Sequence, residues 1–143
     1  MIRKFAFPVL LSLLVAPAAH AETFEVKMLN EGAAGKMVFE PAFVAAAPGD
    51  TITFLPTDKG HNAATIKGMI PEGAKKFKSK LNKEFSVTLT EEGLYGIMCT
   101  PHYGLGMVAL IQVGEATNLE AASAVKKRGK AKARFEPLFA QVQ

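Results

Sequence analysis

Leu94-Tyr-Gly-Ile-Met-Cys99-Thr-Pro-His102-Tyr-Gly-Leu-Gly-Met107-Val-Ala-Leu-Ile-Gln-Val113 is the stretch from which the rest of the chain can be read. Leu94–Met98 and Val108–Val113 are short apolar runs with the length and composition of strands in a sandwich interior. Between them Pro101 stiffens a turn, and Gly104 and Gly106 let the loop bend back. Strand, loop, strand is the local fold this predicts. The loop also carries a thiol, an imidazole and a thioether, with Cys99 at one strand end, His102 three residues on, and Met107 at the start of the next strand. Those three groups, with the remote His61, are a metal-ligand set.

Outward from that hairpin, the upstream chain reads as more strands. Phe24, Val26 and Met28 alternate with Glu25 and Lys27 across Thr23–Leu29, the period of a half-buried strand. Glu31–Gly35 is a turn, followed by Met37–Phe39 and, after Pro41, Phe43–Ala47. Pro48-Gly-Asp50 is a tight turn into Thr51–Leu55, a β-branched and aromatic central strand stopped by Pro56. Residues 57–83 read as loops with room for one short strand or helical turn, and Glu84–Leu89 alternates again before the turn Thr90–Gly93. Short strands broken by turns, without alternating helices, predict an all-β antiparallel sandwich or barrel of about eight strands.

Past Val113 the pattern changes. Thr117-Asn-Leu-Glu120 has the spacing of a helix capping box and Gly129 is a stop signal, which predicts a helix over about 118–128. Phe135, Leu138, Phe139 and Val142 form a helical apolar stripe that Pro137 is expected to kink. Both helices are expected to pack against the sandwich. The expected domain is residues 22–143, a sandwich over 22–114 and a helical tail over 115–143.

The first residues belong to a different class. Arg3 and Lys4, the apolar run Phe5–Ala16, and Ala19-His20-Ala21 match a secretory signal peptide, with cleavage expected after Ala21. Removing residues 1–21 takes two basic side chains and no acid, so the formal charge falls from +4 to +2. It also removes His20, leaving His61 and His102 as the histidines and Cys99 as the single cysteine. A lone cysteine in an exported chain has no internal disulfide partner, so it is dimerising, inert or a ligand. No later apolar run is long enough to span a bilayer, which predicts a soluble exported protein with no membrane insertion.

Two imidazoles and a thiolate in a plane, with a weak thioether above, describe a type 1 blue-copper centre that shuttles between Cu(I) and Cu(II). One copper per chain, held by His61, Cys99, His102 and Met107, is therefore the expected cofactor, and electron transfer the expected role. Three other uses of the same residues stay open: a copper chaperone or storage site, a zinc site, and a thiol enzyme with Cys99 as nucleophile. The last lacks an orienting third residue beside His102, so no catalytic residue is expected.

Gly60-His61-Asn62 with Cys99-Thr-Pro-His102-x-Gly-x-Gly-Met107 resembles the cupredoxin family. Gly35-Lys-Met-Val-Phe-Glu-Pro41, Pro48-Gly-Asp50, Thr57-Asp-Lys-Gly-His61 and the tail after Val113 make the chain similar to the pseudoazurin branch of that family. The resemblance implies a Greek-key β-sandwich with two carboxyl-terminal helices. It implies a periplasmic carrier that donates to a copper nitrite reductase or similar denitrification enzyme. It implies nitrous oxide reductase and c-type cytochromes as further partners. It further implies that the Asn62 main-chain N–H donates to the Cys99 sulfur while the Asn62 side chain ties the two ligand loops together. Met98 stands where some members carry a lysine.

Seven lysines and one acid, Glu72, lie between Lys59 and Lys83. Lys59, Lys75, Lys76, Lys78 and Lys80 are the expected docking cations for an acidic redox partner. Met37, Pro56, Tyr103 and Leu105 are expected to form an apolar collar around the edge of His102. Nucleic acid is not an expected partner, because the chain is expected to be exported and a single aromatic, Phe77, stands among these lysines.

Overall fold

The computed structural model describes residues 20–143, so residues 1–19 of the expected leader over 1–21 lie outside the described residues. Eight strands follow in order: β1 Thr23–Gly32, β2 Gly35–Glu40, β3 Phe43–Ala46, β4 Asp50–Leu55, β5 Ala64–Thr65, β6 Phe85–Leu89, β7 Gly93–Met98 and β8 Val108–Val113. One 3₁₀ turn, Tyr103–Leu105, lies between β7 and β8, and the helices α1 Leu119–Ala124 and α2 Ala131–Phe139 close the chain. The strands form two four-stranded sheets, ordered β2-β1-β4-β6 and β3-β8-β7-β5.

The sheets are mixed rather than antiparallel. β1 pairs parallel with β4, and β3 parallel with β8. Side-chain alternation reports which face is buried and carries no information about the direction of the neighbour, so the sequence pattern could not separate the two. The turn at Pro48-Gly-Asp50 likewise does not make a hairpin, since β3 belongs to one sheet and β4 to the other. Residues 57–83 hold the two-residue β5, paired with the end of β7.

Two cores explain why β7 and β8 are apolar on both faces. Tyr95, Ile97, Ala109, Ile111 and Val113 point between the sheets with Val26, Met28, Phe39, Ile52 and Phe54. Leu94, Val108 and Leu110 point outward and are covered by Ala122, Ala131, Phe135 and Leu138 of the helical tail. The apolar run Val108–Val113 is thus half sandwich interior and half helix-packing surface. Phe39 and Phe54 meet edge to face with centroids 5.9 Å apart, a geometry worth about 1 kcal/mol beyond the area they bury.

The helices depart from their local signals. The capping box does not form, because tertiary partners take its side chains. Thr117 Oγ1 donates to the Glu92 carbonyl at 3.0 Å, and Asn118 spends both its amide groups on Leu94 at the edge of β7. α1 consequently begins at Leu119, and it ends at Ala124, before Gly129. Lys127 Nζ donates to the carbonyls of Ala122, Ser123 and Val125, closing the helix four residues earlier than the predicted end. Pro137 sits inside α2 without breaking it. The carbonyl it orphans is that of Ala133, on the exposed side, where water can satisfy it.

Candidate metal centre

Cys99 directly follows β7 and Met107 directly precedes β8, so the ligand loop is the connection of one antiparallel hairpin whose last pair is Met98 with Val108. The loop is tied by its own backbone. Cys99 N–H donates to the Met107 carbonyl at 3.0 Å, and the N–H groups of Leu105 and Met107 both donate to the His102 carbonyl. Gly106 has φ +90°, and a Cβ there would come within 2.7 Å of Arg134 Cγ, so the sharp return needs glycine on both counts. His61 arrives from the connection after β4, on a loop with no hairpin of its own.

The hairpin and the distant loop bring three donors together. His61 Nδ1 lies 3.1 Å from His102 Nδ1, and Cys99 Sγ lies 3.8 Å from the first and 3.6 Å from the second. A point in their plane equidistant from the three atoms is about 2 Å from each, the length of a metal–imidazole bond. Cys99, His61 and Met107 are fully buried, while His102 is half-buried. Met107 packs in the same core as Cys99. A His₂Cys plane with a thioether beside it is the donor set of type 1 copper, whereas zinc would call for a fourth strong ligand.

Burial also sets the ligands' protonation. It pushes the Cys99 thiol above its ordinary value, and hydrogen bonding from the Asn62 and His102 backbones pulls it part of the way back. It holds the His61 imidazole below its ordinary value, with His102 acting in the same direction and Asp58 opposing. A neutral imidazole is the form a metal binds, so desolvation keeps His61 ready. His61 Nε2–H donates to Asn30 Oδ1 at 2.8 Å, which fixes the tautomer that leaves Nδ1 free toward Cys99.

Hydrogen bonds join the two ligand loops as well. Asn62 Oδ1 accepts from Thr100 N–H at 2.7 Å, and Asn62 Nδ2 donates to Thr100 Oγ1 at 3.0 Å and to the Ser79 carbonyl at 3.2 Å. On the outer side, Asn82 Oδ1 accepts from Gly60 N–H at 2.6 Å while Asn82 N–H donates to the His61 carbonyl at 3.0 Å. Asn30, Ser79 and Asn82 were missed from sequence. Asn30 continues the alternating phase of Phe24, Val26 and Met28, but it is exposed, so burial did not call for a partner there. Ser79 and Asn82 lie in the irregular segment and carry no mark.

A family model described as copper binding proteins, plastocyanin/azurin family, matches residues 26–114. A pseudoazurin from Paracoccus pantotrophus is 55% identical over 131 residues, covering 91% of this chain and 90% of the relative. This chain belongs to the pseudoazurin family. The refined crystal structure of the pseudoazurin from Methylobacterium extorquens AM1 superposes with a TM-score of 0.82 at 52% identity, covering 85% of this chain and 99% of that one. Native pseudoazurin from Hyphomicrobium denitrificans gives 0.81 at 43% identity, covering 85% and 98%. Membership in the pseudoazurins makes this a small type 1 copper protein of cupredoxin fold, an electron carrier and not an enzyme, whose partners are redox proteins. His61, Cys99, His102 and Met107 form a site that fits one type 1 copper. Bound there, copper supplies the one-electron couple. The protein's part is to hold the ligands in place, and the bonds from Asn30, Asn62 and Asn82 tie the His61 ring and the two ligand loops.

The surface residues divide. Lys59, Lys75, Lys76, Lys78 and Lys80 are all exposed. Lys76 and Lys78 border a groove of ≈ 370 Å³ with Met98 and Thr100, beside the ligand loop, while Lys75 lines a separate cleft with Glu91 and Tyr95. Met37 and Pro56 are half-buried and Leu105 is 48% exposed. Tyr103 does not join the collar. It is 6% exposed and packs in the core under the helical tail, with Arg128 5.3 Å above its ring. The 3₁₀ turn Tyr103–Leu105 places neighbouring side chains on different sides, so the loop presents Leu105 and buries Tyr103.

Proposed function

We propose that the chain is exported, cut after Ala21, and carries single electrons in the periplasm between redox proteins, donating to a copper nitrite reductase or a similar denitrification enzyme. Nitrous oxide reductase and c-type cytochromes are the other partners of the right chemistry. One observation carries the docking half of this reading: exposed Lys76 and Lys78 flank the groove that opens beside Met98 and Thr100, next to the cysteine ligand. Lys59 and Lys80 belong to the same proposed docking surface, with Leu105, Met37 and Pro56 as its apolar part. Charge placed so close to the electron's exit at His102 raises the encounter rate with an acidic partner more than it raises affinity.

Stopped-flow transfer to a candidate nitrite reductase tests it. The second-order rate is expected to fall steeply with added salt, and the pair Lys59→Glu and Lys78→Glu to slow it by about tenfold or more at low ionic strength. The blue charge-transfer band should stay unchanged in the variant. Rates indifferent to both salt and charge reversal would remove the lysines from the docking surface.

A further inference from the structure

At the end of β4 away from the copper loops, a cleft is lined by Glu22, Phe24, Ala47, Asp50, Gln112 and Gln143, among others. Asp50 is only 5% exposed. Its Oδ1 accepts from Glu22 N–H at 2.8 Å and its Oδ2 from Ala47 N–H at 2.7 Å. Both donors are neutral amides, and they hold the Asp50 carboxyl below its ordinary value. Among the described residues no cationic side chain faces it, and Glu22 and Asp50 are the ionisable side chains that line the cleft. The two amides favour the anion, and a positive charge is the partner that would complement it further.

Glu22 is held from its other side too. Its carbonyl accepts from Thr51 N–H at 2.9 Å, at the head of the parallel ladder between β1 and β4. His20 and Ala21, just before it, are exposed and outside any strand. The bond between Ala21 and Glu22 is the one that Ala19-His20-Ala21 marks for cleavage. Hydrolysis adds water across that amide. The new carboxylate leaves on Ala21, and the Glu22 nitrogen becomes a primary amine that takes a proton at neutral pH.

We propose that Asp50 is a binding site for the α-ammonium which processing creates on Glu22, so that cleavage turns a neutral main-chain hydrogen bond into an ion pair. This rests on cleavage after Ala21. The nitrogen that gains the charge is the atom Asp50 already holds, so no rearrangement is needed and the bond becomes charge-assisted on both sides. Cleavage one residue earlier or later would carry the ammonium off the carboxylate. The exported chain is therefore locked at the β1/β4 edge only when cut at this bond. The amine's raised pKa makes its contribution complete below the unfolded chain's amine pKa and lost as pH rises through the folded one.

The test uses the exported, copper-loaded protein. Its intact mass first decides the cleavage site. The α-amine is then reductively methylated with ¹³C-formaldehyde, which keeps its charge, and titrated by NMR. It is expected to hold its proton about tenfold or more tightly than the amine of an unstructured peptide of the same first residues, and Asp50→Asn is expected to abolish the difference. In a second arm, acetylating the α-amine should lower the unfolding temperature of the wild type and leave Asp50→Asn unmoved. An amine that titrates like the peptide's, or an acetylation effect equal in both proteins, overturns the Asp50 site. If Asp50→Asn does not fold, the peptide comparison on the wild type decides it. An amino terminus elsewhere overturns the cleavage reading, and the same titration on a chain made to begin at Glu22 then decides the Asp50 site by itself.

Discussion

The two loops that bear the histidine ligands are built on opposite principles. The Cys99–Met107 loop closes on its own backbone, with His102 N–H on the Cys99 carbonyl, Met107 N–H on the His102 carbonyl and Gly106 N–H on the Tyr103 carbonyl. The loop around His61 is held from outside, by Asn30 on the ring, by Asn82 on the backbone, and by the pairing of Ala63 with Ser79. Asn62 and Thr100 join the two. A loop that templates itself needs only a hairpin beneath it. A loop that is held by partners on other segments depends on them, and here it holds its ligand deeper: His61 is fully buried, His102 half-buried.

The sharpest way to break this arrangement is to cut the bridge between the loops. Asn62→Ala leaves the Thr100 N–H and the Ser79 carbonyl without their partner, and is expected to cost about 3 kcal/mol in the denaturant midpoint of the copper protein. A change below about 0.5 kcal/mol would mean the loops stand independently. Asn30→Leu attacks the external support of His61 alone. With the Nε2–H unpaired and the tautomer released, copper affinity in a competition titration is expected to fall about tenfold, while the self-closed loop should keep its structure. Equal affinity would show that burial by itself orients the ring.

The smallest expected effect concerns protons. The folded His61 imidazole lies below its unfolded value, so the folded metal-free chain binds fewer protons than the unfolded one in the window between them. Its stability is therefore full above the ordinary histidine value of about 6.5 and declines as pH falls through the window. The urea midpoint of the metal-free protein should drop on acidification from about pH 8 to 5, and His61→Gln should flatten the drop. A pH-independent wild-type midpoint would contradict the desolvation of this ring.

How much of this was legible in the sequence follows from the same contrast. Cys99, His102 and Met107 stood out because a proline and two glycines compressed them between two apolar runs, and local chemistry of that kind survives in one dimension. His61 was found by elimination, as the histidine left over, and nothing near it in sequence named Asn30 or Asn82 as its supports. The helical tail was legible as helices, the first from its capping and stop signals and the second from its apolar spacing, yet the end of the first was not. Asn118 and Lys127 were drawn into bonds with β7 and with the end of α1, and tertiary hydrogen bonds outweighed the capping signals. Tyr103 was expected in the apolar collar around the edge of His102, and the fold instead used it to fill the second core.

The sequence by itself determined the chemistry of the centre, the β character of the chain and the order of its strands, since donor types, side-chain periods and turn residues are local properties. Tertiary structure alone decided the parallel pairing of β1 with β4 and of β3 with β8, the choice of Asn30 to orient His61, and the meeting of Glu22 with Asp50. Each of these joins residues far apart along the chain. Which distant groups meet is set by how two sheets stack and what their packing leaves unpaired, and no local pattern records that.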